Sequence, residues 1–228
     1  MQVVVPLAGP DYFKNKIPKG LEPSINNNPQ LYHTLKSRIW STDKNINYSF
    51  ILHDSEKSRS FVRNHIDQWF PNSNYIYLSN FTKGAALSAI SAISFIELEN
   101  SSPLIFDLAD IFFETNIYPD FEKKFSDSIF IGYSFKSDLP IYSYFGCDPN
   151  FYIKSVSEKK VISDNASAGV YIYKSASYYL NALAEILTKP RDYLFNNLLY
   201  LAPVLNGILD GKRNARLIHV EKYYDYKS

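Results

Sequence analysis

Over the first half of the chain, short apolar runs alternate with longer stretches in which apolar side chains recur every three or four positions. Residues 3–7 are β-branched and apolar and lead into Ala8-Gly9-Pro10, which predicts a buried first strand and a tight turn. Residues 11–28 hold Pro18, Pro23 and Asn26-Asn27-Asn28, too many breakers for a helix. A long loop is expected there, and long loops inside a domain tend to be functional. Pro29 opens a helix through residue 40, at a first-turn position where its missing N–H costs nothing. Residues 48–53 read as a second strand. Residues 56–70 read as a helix with Phe61, Ile66, Trp69 and Phe70 for its inner face. A third strand follows at 75–78, then a helix over 82–98 so evenly apolar that it must be largely buried, then a buried strand at 103–106.

The second half changes character. Residues 128–134, 141–145, 151–156 and 169–174 are short strand patterns joined by turns rich in Asp, Pro, Asn and Ser, as expected for antiparallel or mixed additions. Residues 175–187 and 193–209 read as helices, the second stopped at Asp210-Gly211. A last strand is expected at 215–220, and 221–228 reads as a polar tail. This order predicts an α/β fold: a doubly wound, mostly parallel (mixed) sheet flanked by helices, in a single domain spanning 1–228.

Composition narrows the picture. The chain of 228 residues carries a net charge of +1 with both signs interspersed, so nothing electrostatic points to nucleic acid or an anionic membrane. No apolar run is long enough for a membrane span, and residues 1–6 lack the basic start and apolar core of a signal peptide. The single Cys147 cannot form an internal disulfide, which fits a cytoplasmic setting. Nineteen Tyr and sixteen Phe against eight Gly point to an aromatic-rich core and aromatic-lined pockets.

Candidate chemistry gathers after the fourth strand. Asp107 and Asp110 fall at its carboxyl end, the edge at which open α/β sheets bind ligands. Two carboxylates there suit a hard cation such as Mg²⁺; the bland alternative is a turn cap at Asp107 and a solvated acid at Asp110. His33, His53, His65 and His219 are scattered without zinc-site spacing. Cys147 sits in a turn and reads as a passive thiol, and no G-x-S-x-G elbow is present.

Five motifs in order resemble the sugar-phosphate nucleotidyltransferases, and the resemblance runs nearly end to end. Leu7-Ala8-Gly9-Pro10-Asp11-Tyr12-Phe13 corresponds to the family's L-A-x-G-x-G-x-R loop, and Lys19-Gly20-Leu21-Glu22-Pro23 to its lysine segment. Thr82-Lys83-Gly84-Ala85-Ala86 looks like the base-recognition helix start, and Asp110 stands where the principal metal aspartate is expected. Ser157-Glu158-Lys159, Ile162-Ser163 and Ala168-Gly169-Val170-Tyr171-Ile172-Tyr173 are similar to the E-K…S…A-G-x-Y-x-F segment. Pro203-x-x-Asn206 resembles a further landmark, and Asp225 lies where a second metal aspartate is expected.

The resemblance implies a GT-A-like nucleotidyltransferase domain, with a nucleotide-binding half (1–110) and an acceptor-binding half (111–228). It implies transfer of a nucleoside monophosphate from a nucleoside triphosphate to a small phosphorylated acceptor, with Mg²⁺ as cofactor and pyrophosphate as leaving group. In that scheme Lys19 and Asp110 are catalytic. Leu7, Ala8, Gly9, Lys14, Lys83 and Gly84 meet the nucleotide. Tyr144, Glu158, Lys159 and Gly169 meet the acceptor, and Asp110 and Asp225 hold the metal. Surface polysaccharide or capsule precursor synthesis in a bacterium is the implied setting, with room for a homo-oligomer.

One departure stands out. Pro10-Asp11-Tyr12 replaces the part of the loop that carries the triphosphate-clamping arginine, and Pro10 has no N–H to offer a phosphate. Either Lys14 or Lys16 takes over, or triphosphate binds poorly. Two rivals remain at this point. One is a glycosyltransferase of related fold, against which the three-residue spacing of Asp107 and Asp110 counts; the other is a non-catalytic nucleotide-binding domain.

Overall fold

The computed structural model describes residues 1–15, 17–96, 102–115, 125–210, 214–220 and 222–226. Lys16, the end of the predicted helix at Leu98, and Gly211 lie outside them. The chain forms a mixed sheet with helices on both faces. Strands β1 (Gln2–Pro6), β2 (Asn47–His53), β3 (Asn74–Leu78) and β4 (Leu104–Asp107) are parallel and lie in the order β4-β1-β2-β3. Beyond β4 come β9 (Asn165–Tyr173), β6 (Phe130–Lys136) and β10 (Ala215–His219), and β9 runs antiparallel to both its neighbours. The hairpin of β7 (Ser143–Cys147) and β8 (Ile153–Glu158) joins through β7 to the start of β9.

Alternation along the strands explains the layers. Val3, Val5, Phe50, Leu52, Ile105 and Ile172 face one core, under α1 (Gln30–Ser37) and α2 (Glu56–Phe61). Val4, Ile51, Leu104, Phe106, Tyr171 and Tyr173 face the other, under α4 (Ala85–Ile93) and the helix Ala176–Leu187. Ser55 caps α2 by accepting from the Ser58 N–H at 3.2 Å. That helix continues through a π-helical turn, Val62–Ile66, into α3 (Asp67–Trp69). The wider turn lets Phe61 and Ile66, five positions apart, both reach the core.

Three expectations are corrected. The helix expected over 82–98 starts only at Ala85, because Gly84 is held at φ +118 and the backbone of Lys83 is tied to Leu199. The helix expected over 193–209 is absent before Leu201. Asn196 and Asn197 both take positive φ and turn the chain into a Phe195–Leu198 bridge, as a primed turn requires. Only the short helices Leu201–Val204 and Asn206–Asp210 follow. The polar tail is instead a strand, β11 (Lys222–Asp225), antiparallel to β5 (Ile111–Glu114), which the sequence pattern did not single out.

Candidate active site

The carboxyl ends of the parallel strands meet at one edge of the sheet and deliver four loops there. Residues 7–9 follow β1, His53 ends β2, Phe81–Gly84 follow β3 and Leu108–Asp110 follow β4. The β4 loop is the most tightly fixed. Asp107 and Arg38 are both fully buried and form a two-point ion pair, Nε to Oδ2 at 2.6 Å and an Nη to Oδ1 at 3.1 Å. The same Arg38 nitrogen donates to the Ile111 carbonyl at 2.9 Å, and its guanidinium lies 3.9 Å over the Phe113 ring. Asp107 also accepts from the Ala109 N–H at 2.9 Å, which accommodates the left-handed φ of +52 at Ala109. On the other side, the Leu108 N–H donates to the Gly169 carbonyl at 2.9 Å. Gly169, at φ +74, takes a left-handed backbone that favours glycine, and a Cβ there would lie 3.3 Å from the Leu108 Cβ.

Asp107 is therefore a structural clamp, and the carboxylate of the β4 loop that reaches a cavity is Asp110. Lys19 reaches it from the long loop after β1, Nζ to Oδ1 at 3.4 Å, with both side chains partly exposed. Tyr12 packs beneath them beside Gly20, and burial together with the Asp110 charge raises its phenol well above the ordinary tyrosine range.

Two cavities open along this edge. The first, about 450 Å³, lies between Ala8, Gly9, Pro10 and Asp11 on one side and Phe81, Thr82, Lys83 and Gly84 on the other. Gly84 is indispensable to its shape: a Cβ there would stand 2.2 Å from the Leu199 carbonyl oxygen. The Thr82 hydroxyl donates to the Gly84 carbonyl at 3.0 Å and shares a 2.5 Å hydrogen bond with Ser88. The second cavity, about 480 Å³, is lined by Asp110, Tyr142, Ser143, Glu158, Lys159, Ser167, Gly169, Tyr171 and Tyr200, among others. Ala85 and Tyr200 border both, so the two adjoin.

In the second cavity the Lys159 ammonium lies 5.2 Å from the ring centres of both Phe195 and Tyr200. Glu158 accepts from the Ser143 hydroxyl at 2.5 Å. Burial, and then the Glu158 charge, raise the Tyr171 phenol above its usual range, so it stays neutral, and its hydroxyl accepts from Ser167 at 2.9 Å. Asp225 is buried, accepts a hydrogen bond from Tyr142, and pairs through its backbone with Ile111 next to Asp110. Asp110 beside the second cavity, with Asp225 on the strand paired to the neighbouring Ile111, is compatible with the donor set of Mg²⁺, which binds through one or two carboxylates plus phosphate oxygens. Among the described residues no group of three or more His, Cys, Asp or Glu converges, so the remaining ligands of such an ion would be substrate and water.

Of the residues singled out from sequence, Ala8, Gly9, Lys83 and Gly84 line the first cavity, and Asp110, Glu158, Lys159 and Gly169 the second. Leu7 lies just beneath, in a small recess with Lys19. Three stand elsewhere. Asp225 is buried and lines neither cavity nor the recess. Lys14 is exposed and paired with Asp11 at 3.7 Å. Tyr144 is fully buried with its hydroxyl on the Leu139 carbonyl at 2.7 Å, and its neighbours Tyr142 and Ser143 line the cavity instead. Cys147 lies outside both cavities, its thiol pushed up to about 11 by burial and by Asp148. Sequence reasoning missed Arg38, Phe81, Ser167 and Tyr200. Phe81 directly precedes the Thr82-Lys83-Gly84 motif and Ser167 the Ala168-Gly169 motif, which were usable signals; Arg38 and Tyr200 have none.

No protein-family model matches the chain, and no curated protein matches it in sequence. Solved structures match it in fold. A nucleoside-diphosphate-sugar pyrophosphorylase from Vibrio cholerae RC9 gives a TM-score of 0.80 at 20% identity, covering 99% of this chain and 95% of that one. A UDP-glucose pyrophosphorylase complexed with UDP-glucose gives 0.68 at 18%, covering 100% and 93%. An inositol-1-phosphate CTP transferase from T. maritima gives 0.66 at 14%, covering 100% and 89%. Along its whole length this chain has the fold of the sugar-phosphate nucleotidyltransferases.

Proposed function

We propose that the chain transfers a nucleoside monophosphate from a nucleoside triphosphate to a sugar phosphate or other small phosphorylated acceptor, releasing pyrophosphate. The observation that carries this reading is the pair of adjoining cavities with the Lys19–Asp110 pair at the same edge. The nucleoside occupies the first cavity and the acceptor the second. An acceptor phosphate oxygen attacks the α-phosphorus, the bond from that phosphorus to the bridging oxygen breaks, and pyrophosphate leaves with the electron pair. No side chain is covalently modified, so the protein contributes positioning and charge. Lys19 offsets charge on the triphosphate, Lys159 holds the acceptor phosphate, and Glu158 accepts from acceptor hydroxyls. Asp110 and Asp225 would hold Mg²⁺, which supplies charge neutralisation at the phosphates.

Synthesis of a surface polysaccharide or capsule precursor in a bacterial cytoplasm is the setting we assign. No helix among the described residues is long and apolar enough to cross a membrane. The glycosyltransferase alternative would draw two carboxylates from the β4 loop, and Asp107 is consumed by Arg38. The test is pyrophosphate release from each of the four ribonucleoside triphosphates and deoxythymidine triphosphate with a panel of sugar phosphates and Mg²⁺. One productive pair is expected, with Lys19→Ala and Asp110→Ala each lowering turnover about a hundredfold or more. Turnover unchanged in both variants, or none in the parent with any pair, would overturn the reading.

A further inference from the structure

We infer that Phe81 is the stacking platform for the nucleobase. This rests on the nucleotidyltransferase reading, which brings a nucleotide into the first cavity without saying what grips its base. Phe81 lines that cavity and is 53% exposed. Its ring stacks on His53, with centroids 4.2 Å apart and planes 15° from parallel. One face is therefore backed by a ring at the end of β2, and the ring's orientation is set before any ligand arrives. A preset ring spends little conformational entropy when it is covered, which favours a planar, apolar-faced occupant.

The polar groups nearby point the same way. The Thr82 and Ser88 hydroxyls are hydrogen-bonded to each other and to the Gly84 carbonyl. Their two O–H donors hold the loop and are not spare for donating to a base edge. Grip by the π-face then supplies affinity that any base can share, since stacking on an aromatic side chain is tolerant of base identity.

The experiment measures dissociation constants of nucleoside monophosphates by calorimetry for the parent, Phe81→Leu and Phe81→Trp. The two variants serve as controls on each other, because Leu keeps apolar bulk and Trp keeps the π-face. The expected result is a dissociation constant raised about tenfold in Phe81→Leu and restored in Phe81→Trp, with thermal unfolding midpoints unchanged. Binding by Phe81→Leu as tight as the parent's, or equal loss in both variants, would overturn the inference alone. A parent that binds no nucleotide, mono- or triphosphate, would overturn the functional reading and this inference with it.

Discussion

Arg38 and Asp107 meet in a fully buried two-point ion pair, and the same carboxylate accepts the Ala109 N–H two residues on. The pair links α1 to the loop after β4, and through the Ile111 carbonyl to the start of β5. Asp110 lies between these anchor points, so its place depends on a charge it does not touch.

Breaking that pair from one side leaves an uncompensated buried charge, which costs about 3–5 kcal/mol. Arg38→Met is expected to lower the unfolding free energy by that amount in urea titration. The double variant Arg38→Met, Asp107→Leu removes both charges and should recover much of the stability. It should not recover pyrophosphate release, because the Ala109 N–H has lost its acceptor and the loop its geometry.

Gly84 and Gly9 separate steric need from resemblance. A side chain at Gly84 meets the Leu199 backbone at 2.2 Å and an unfavourable φ of +118, whereas a Cβ at Gly9 meets nothing within 4 Å. Gly84→Ala should cost on the order of 3 kcal/mol and abolish nucleotide binding. Gly9→Ala should stay within about 0.5 kcal/mol of the parent in thermal unfolding.

Lys159 is poised over two rings, in a cavity separate from the one assigned to the nucleoside. Lys159→Ala should raise KM for the phosphorylated acceptor about tenfold or more and leave KM for the triphosphate nearly unchanged. Steady-state kinetics with each substrate varied in turn checks the split. Equal effects on both would mean that the lysine bridges the two ligands.

A pH dependence follows from His33, which stacks on Phe112 and hydrogen-bonds the Tyr226 hydroxyl at 3.3 Å. Burial lowers its pKa from 6.5, with the Glu114 charge opposing. The unfolded chain therefore binds a proton that the folded chain resists, and stability rises with pH across the interval between the lowered value and 6.5. As pH falls through that interval the protein should lose stability. His33→Gln should flatten the dependence in urea unfolding series run from neutral to mildly acidic pH.

The parallel strands β1 to β4 were legible because each is a short apolar run with a turn signal beside it, and so was the edge at which ligands would gather; the order of the strands across the sheet was not read. The turn cap at Asp107 was legible as the bland alternative, and the Ala109 N–H bears it out; its ion pair was not, because Arg38 lies just past the end of α1, sixty-nine positions away, where nothing local marks it. Strand β5 was missed because Ile111–Glu114 follows the Asp107–Asp110 turn too closely to read as a separate element. Its partner β11 looked like a solvated tail because Tyr223 and Tyr224 are half exposed, although Asp225 beside them is buried. The helix expected over 193–209 failed for a local reason: Asn196 and Asn197 tolerate left-handed backbone, and the pairing of Leu199 with Lys83 and Ala86 draws the chain away from a helix.

Strand β9 has a consequence for how the molecule assembles. It fills the slot between β4 and β6, so the sheet cannot close until residues more than fifty positions beyond β4 have arrived. Closing so long a loop delays those contacts, and until then β4 and β6 present bare hydrogen-bonding edges. A nascent or truncated chain that stops short of Asn165 would carry the whole Lys19–Asp110 segment yet offer an open edge to other chains, and self-association would compete with maturation.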